Sequence, residues 1–121
     1  MAHRVVIIDD VADIRFLMGA YLKPRDFEVV GEAANPVEGL ALVTEQDVDA
    51  VIIDLSIPGH DSIAAITTLR ETLPSMRILA VSATVPETDA AKAALSAGAD
   101  AFLDKAAGFD QLGHALVELL R

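Results

Sequence analysis

A chain of 121 residues that is 53% hydrophobic, with no low-complexity stretch, has room for one compact domain around a single core and none for a second domain. Its formal charge of −10 repels phosphate backbones and favours cations or basic partner surfaces, so the chain alone is not expected to bind nucleic acid. The lack of cysteine excludes disulfides and thiolate zinc sites; apolar runs as short as Val5 to Ile8 and Ala50 to Ile53 exclude a membrane span, and no signal-peptide pattern follows Met1, so a cytoplasmic protein is expected.

The first predicted strand, Arg4-Val5-Val6-Ile7-Ile8, runs into Asp9-Asp10 and then into a helix whose apolar residues Ile14, Leu17, Met18, Tyr21 and Leu22 recur three and four apart. A short second strand, Glu28-Val29-Val30, precedes Asn35-Pro36-Val37-Glu38, which reads as a helix N-cap, a proline at the first helical position and a Glu at the third. The third strand, Asp49-Ala50-Val51-Ile52-Ile53, ends in Asp54, and a loop and a helix follow. The fourth, Arg77-Ile78-Leu79-Ala80-Val81, ends near Ser82; Thr84 to Glu87, with Pro86, offers another helix start, and Gly98 after Leu95-Ser96-Ala97 a helix stop. The fifth, Ala101-Phe102-Leu103, leads to Lys105, and Gly108 precedes a last helix carrying Phe109, Leu112, Leu116 and Leu119.

Five strands alternating with five helices give a (βα)₅ pattern. The near-continuous apolar character of the first, third and fourth strands is that of parallel strands covered on both faces. The pattern predicts an α/β, flavodoxin-like, doubly wound parallel sheet of order 2-1-3-4-5, with ligands binding outside the carboxyl ends of the strands where the order reverses, between the first and third. That topology brings Asp9, Asp10 and Asp54 together, with Ser82 and Lys105 adding a hydroxyl and a positive charge to the same rim. Three adjacent carboxylates repel one another, and a hard, oxygen-binding ion such as Mg²⁺ relieves that repulsion. Each residue has a plainer reading: the acidic pair as a helix cap, Asp54 as a strand terminator, Lys105 as a solvated lysine, Ser82 as turn chemistry. None of these accounts for the shared rim. His3, His60 and His114 lack metal-ligand spacing, and the glycines form no phosphate-binding fingerprint.

Ile7-Ile8-Asp9-Asp10, Ile53-Asp54-Leu55-Ser56-Ile57-Pro58-Gly59, Val81-Ser82-Ala83 and Phe102-Leu103-Asp104-Lys105 resemble, in order and spacing, the motifs of response-regulator receiver domains, and the resemblance covers the whole chain. It implies that Asp54 accepts a phosphoryl group from a phosphohistidine on a sensor histidine kinase or phosphotransfer protein. It further implies an Mg²⁺ held directly by Asp10, Asp54 and the backbone carbonyl of Ser56, and through water by Asp9. Ser82 is then expected to bond a phosphoryl oxygen and Lys105 to offset phosphate charge. Phe102 is either a strand-core residue or an aromatic that turns inward when Ser82 moves toward phosphate.

The chain departs from the family pattern at Ser62, where receivers usually have glycine, so the helix start there is expected to differ. Lys105 is followed by Ala106 where proline is frequent, and a non-proline cis peptide there would cost roughly 2.5–4 kcal/mol. Ser82 replaces the commoner threonine but keeps the hydroxyl.

Three competing functions use the same kind of sheet. A flavin carrier needs a phosphate cradle where this chain has the acidic Asp9-Asp10-Val11-Ala12-Asp13. An aspartyl-phosphate phosphatase needs a second acid where Asp54-Leu55-Ser56 has serine. An unphosphorylated pseudo-receiver, acting as an interaction module, is expected to lack one of the acidic or lysine positions that this chain retains. Within the receivers, Val29-Val30-Gly31-Glu32-Ala33 with Asn35, and Ala97-Gly98-Ala99-Asp100, look most like the NarL/LuxR-type regulators. That likeness implies a helix-turn-helix DNA-binding output domain beyond Arg121, with DNA contacted only through it, and a possible phosphorylation-dependent homodimer.

Overall fold

The computed structural model of the chain describes residues 2–82 and 88–121. Five parallel strands, β1 (His3–Ile8), β2 (Phe27–Ala33), β3 (Ala50–Asp54), β4 (Arg77–Ser82) and β5 (Ala101–Asp104), form one sheet in the expected order β2-β1-β3-β4-β5. The helices are α1 (Ala12–Leu22), α2 (Pro36–Glu45), α3 (Ser62–Thr72), α4 (Thr88–Ala97) and α5 (Phe109–Leu119). The helix start expected at Thr84 to Glu87 lies outside the described residues. Among the described residues no helix is long and apolar enough to cross a membrane.

Strand alternation divides the core in two. Val6, Ile8, Val51, Ile53, Ile78 and Ala80 face Val43 of α2, Ile66 and Leu69 of α3 and Ala94 of α4. Val5, Ile7, Ile52, Leu79 and Val81 face Met18 and Leu22 of α1 and Leu112 and Leu116 of α5. Residues 5–8 of β1 and 50–53 of β3 are fully enclosed, which is why those segments are apolar at every position rather than at every second one.

The edge strand β2 is longer than its apolar run, because a strand with one free edge and one half-covered face tolerates Gly31 and Glu32. Its pairing with β1 slips by one residue, Val5 opposite Val29 but Val6 opposite Gly31, which leaves Val30 as the extra residue of a bulge. The Gln46 side-chain amide donates to the Val30 carbonyl at 3.1 Å.

In α1 the buried stripe is Met18 and Leu22 with Ile14 and Tyr21 partly buried, whereas Leu17, expected on that face, is 46% exposed beside an even more exposed Phe16. At 3.6 residues per turn Leu17 sits roughly 90° from the middle of the stripe. Spacing alone admitted it, but a helix packed between the sheet and α5 covers a narrower face.

The other end signals are in place. Asn35 Oδ1 accepts from the Glu38 amide at 3.0 Å, and Glu38 reaches back to the Ala34 amide at 3.3 Å. Gly98 and Gly108 have φ of +126° and +93°, which side-chain-bearing residues rarely adopt. The described peptide bonds are all trans, Lys105–Ala106 included.

Gly39 is where α2 lies closest to the sheet: a Cβ there would overlap Ile8, with Cγ1 only 2.6 Å away, and Ile8 is fully buried and cannot yield. Gly39→Ala should therefore destabilise the fold by about 1–3 kcal/mol, although alanine is the better helix former, as read from denaturant unfolding. A more stable variant would contradict this packing.

Candidate functional site

The same alternation that splits the core assembles the site. Asp9 continues the phase of Val5 and Ile7, Asp54 that of Ala50 and Ile52, and Lys105 that of Ala101 and Leu103, so all three side chains emerge on the α1/α5 side at the carboxyl ends of adjacent or near-adjacent strands. Ser82 follows the phase of Ile78 and Ala80 and emerges on the opposite side.

Asp9 is held at both ends. Its amide donates to the Ala33 carbonyl at 3.0 Å, extending the β1/β2 ladder by one residue, and its Oδ1 accepts from the Val11 amide at 2.9 Å. Its Oδ2 accepts a short, charge-assisted hydrogen bond from Lys105 Nζ, which also lies 3.4 Å from Asp54 Oδ2. Asp54 Oδ1 accepts from the Ser56 amide at 3.0 Å, forming an Asx-type turn at the strand end. Asp9 and Asp54 are almost wholly buried while Asp10 is exposed, and one carboxylate oxygen from each of the three can be chosen so that all lie within 4.8 Å of one another. The acidic pair is not merely a cap: α1 has Val11 at its N-cap with no side-chain bond, and Asp10 stands free of the helix start.

Burial pushes the Asp54 carboxyl above its ordinary value of 3.8. The nearby Asp9 charge adds to that push, while the Ser56 amide and Lys105 oppose it. Asp54 is thus an anion held in poorly solvating surroundings. The donor set, carboxylate oxygens of which one is exposed and two are buried behind it, fits a hard divalent cation that keeps part of its water.

The remaining expected residues are placed as follows. Ser82 is buried, its Oγ 3.3 Å from the Ser56 hydroxyl. Ser56 itself is exposed beyond the end of β3. Phe102 lies opposite Ala80, partly buried against the core on the α4 side, on the same face as Ser82 and two residues before the rim.

Two further residues, neither of them expected to contact the acidic cluster, shape the site. Arg15 donates to the Asp9 carbonyl at 2.6 Å and pairs with Glu32 at 3.2 Å, joining α1 to the ends of β1 and β2. Its place on the first turns of α1 was a usable signal, but Glu32 as a partner depends on the β2 register. Ser62, seen in the sequence only as a departure, is buried, and its hydroxyl donates to the Asp54 carbonyl at 2.9 Å. Asp61 caps α3 through the Ala64 amide at 3.0 Å, and Ser62 turns inward.

The model of the response regulator receiver domain matches residues 5–117. The chemotaxis protein CheY of Bacillus subtilis is 32% identical over 120 residues, covering 99% of this chain and 99% of CheY. The virulence-factor transcription regulator BvgA of Bordetella pertussis is 31% identical over 105 residues, covering 87% of this chain but only 50% of BvgA, so the chain spans about half the length of that relative. Among solved structures, a two-component response regulator of the LuxR family from Aurantimonas superposes with a TM-score of 0.92 at 28% identity, over 99% of this chain and 86% of that one. A chain from the CheX–CheY complex of Borrelia burgdorferi, crystallised with beryllium fluoride and Mg²⁺, shares the fold with a TM-score of 0.90 at 21% identity, over 98% of this chain and 90% of that one.

In metal-free protein the raised Asp54 value sets a pH dependence. A carboxyl held above its unfolded value contributes its full share of stability below the unfolded value of 3.8, and that share is lost as pH rises through the higher folded value. Asparagine does not ionise. In the presence of chelator, the stability of Asp54→Asn relative to wild type should therefore climb as pH is raised from about 4, the ordinary aspartate range. A difference in unfolding free energy that stays flat or falls over that window would contradict the burial argument.

Proposed function

The chain belongs to the response regulator receiver family of two-component signalling, and on that premise we propose that it is a cytoplasmic switch operated by phosphorylation of Asp54. The observation that carries this reading is the cluster itself: three carboxylates at the ends of β1 and β3, with Lys105 set against two of them.

Phosphoryl transfer asks a protein for alignment and charge neutralisation more than for covalent machinery. An Asp54 carboxylate oxygen attacks the phosphorus of a phosphohistidine presented by a sensor kinase or phosphotransfer protein. The P–N bond breaks, and the imidazole nitrogen leaves with the bonding electrons. Burial favours the step, because an Asp54 anion poorly stabilised by its surroundings loses little solvation on attack. The Ser56 amide holds the carboxylate by Oδ1 and so limits its rotation. Lys105 supplies a fixed positive charge next to the incoming phosphoryl group, and the Ser82 hydroxyl donates to one of its oxygens. Mg²⁺, when bound, would offset the combined charge of carboxylates and phosphoryl oxygens; Asp10, Asp54 and the Ser56 carbonyl would hold it directly, and Asp9 through water.

The switch follows from position. Ser82 and Phe102 share one face of the sheet, so a hydroxyl drawn toward phosphate vacates space into which Phe102 can turn, changing the surface around α4 and β5. The LuxR-family likeness and the half-length match to BvgA support an output domain that binds DNA, controlled through this surface or through receiver dimerisation. An interaction-only role is disfavoured by the presence of every chemistry-bearing position.

Incubation with Mg²⁺ and a small acyl phosphate should add the mass of one phosphoryl group to wild type and none to Asp54→Asn; equal yields would refute the acceptor assignment. Calorimetric titration should find Asp10→Asn weaker for Mg²⁺ than Asp9→Asn, and equal affinities would overturn that ranking. Ser82→Ala should still accept phosphate but show smaller chemical-shift changes in α4 and β5 on binding a phosphoryl mimic. Shifts as large as those of wild type would eliminate the Ser82 route.

A further inference from the structure

Ser62 is one of four buried polar or charged residues among those described; the other three, Asp9, Asp54 and Ser82, belong to the site already described. Its hydroxyl donates to the Asp54 main-chain carbonyl at 2.9 Å, from the first residue of α3. The same peptide unit is held at its other end, where the Leu55 amide donates to the Val81 carbonyl at 2.8 Å. The Asp54–Leu55 peptide plane is thus clamped between β4 and α3. One residue further on, the Ser56 amide holds the Asp54 carboxylate, and the Ser56 carbonyl follows directly.

We infer that Ser62 is a positioning residue for the acceptor aspartate and for the Ser56 carbonyl, fixing the turn that presents both to a divalent cation; this rests on the metal reading given above. Rotation of the Asp54–Leu55 peptide moves Ser56 relative to the Asp54 carboxylate; among the described residues the two hydrogen bonds on that peptide oppose the rotation directly, and the bond between the Ser56 and Ser82 hydroxyls adds a tie further along. The rest of the loop is weakly tied: Ile57 is buried, but the turn it opens closes with a single 3.3 Å bond from the His60 amide, and Gly59 sits at φ +78°. Ser62 therefore carries much of the constraint, while Asp61 caps α3 independently through Ala64, so the helix does not need the serine in order to start.

The test compares Ser62→Ala, Ser62→Thr and Ile66→Val, the last trimming a fully buried residue one turn further along α3 that has no polar group to offer the Asp54 carbonyl. Mg²⁺ affinity is read by calorimetry, and the amide shifts and hydrogen exchange of Leu55 and Ser56 are read in metal-free protein. Ser62→Ala should raise the Mg²⁺ Kd threefold or more and speed exchange at Leu55 and Ser56. Ser62→Thr should recover most of both effects by restoring the hydroxyl, and Ile66→Val should lower Tm while leaving both at wild-type values. An unchanged Kd and unchanged Leu55 and Ser56 amides in Ser62→Ala would overturn the inference, as would Ile66→Val weakening Mg²⁺ by the same factor. Should Ser62→Thr fail to fold, the contrast between Ser62→Ala and Ile66→Val decides alone. If wild type binds no Mg²⁺, or Asp10→Asn binds it as well as wild type does, the metal reading fails. The metal-free amide exchange then decides by itself whether Ser62 holds the Asp54 turn.

Discussion

Two carboxylates with almost no contact with water share one ammonium group at the carboxyl edge of the sheet, and the rest of the site is arranged around that imbalance. Unit charges about 4 Å apart interact by roughly 4 kcal/mol at an effective dielectric constant near 20, so the Lys105–Asp54 attraction and the Asp9–Asp54 repulsion are comparable and largely offset each other. Burial then decides, and it leaves the Asp54 carboxyl harder to ionise than an ordinary aspartate. With the exposed Asp10 included, three carboxylates face one ammonium, a formal surplus of two negative charges in one corner of the domain. A buried ion pair is weak evidence for stability in itself. Under the proposed function, its geometry keeps one positive charge in place for a phosphoryl group that brings more negative charge.

The backbone does most of the positioning. Asp9 is fixed through its amide, its carbonyl and its side chain by Ala33, Arg15 and Val11, and Asp54 through Ser56, Ser62 and the neighbouring strand. The reactive side chains project from the ends of strands whose preceding residues are fully enclosed, so a rotation of either carboxylate meets packed core on one side and a hydrogen bond on the other. Rigid presentation of this kind would lower the reorganisation required in the proposed phosphoryl transfer. The side of the sheet facing α4 is built differently, with alanines at 80, 94, 97 and 99 around a partly buried Phe102. Under the proposed switch, the small residues in the cluster that Phe102 packs against are what would give that ring room to turn.

Much of this was legible in the chain. Alternation of apolar strands with helical spacing gave the (βα)₅ order, because strand segments enclosed on both faces must be apolar throughout, and residues 5–8 of β1, 50–53 of β3 and 78–81 of β4 are. The rim was legible for the same reason: a polar residue that ends such a run, as Asp9, Asp54 and Ser82 do, has to lie at the carboxyl edge of the sheet, and Lys105 follows directly on the end of β5. Spacing alone could not reach what depends on how elements meet. Leu17 satisfied the helical pattern yet faces solvent, since the width of the buried face is set by the neighbours of α1. β2 ran past its apolar stretch because an edge strand is held mainly by its ladder, and the bulge at Val30 shifted Glu32 to where Arg15 could meet it.

The sequence by itself determined the (βα)₅ order of elements and set the carboxylates and the lysine at strand ends, since each follows from a local periodicity of two or 3.6 and from which residue interrupts it; the order 2-1-3-4-5 came from the doubly wound rule for such a pattern, not from any periodicity. Tertiary structure alone decided which of those groups are buried, that Lys105 bridges Asp9 and Asp54, and that the Ser62 hydroxyl reaches the Asp54 carbonyl across eight residues of chain. Burial and hydrogen bonding depend on what the rest of the chain brings alongside, and no local pattern encodes that.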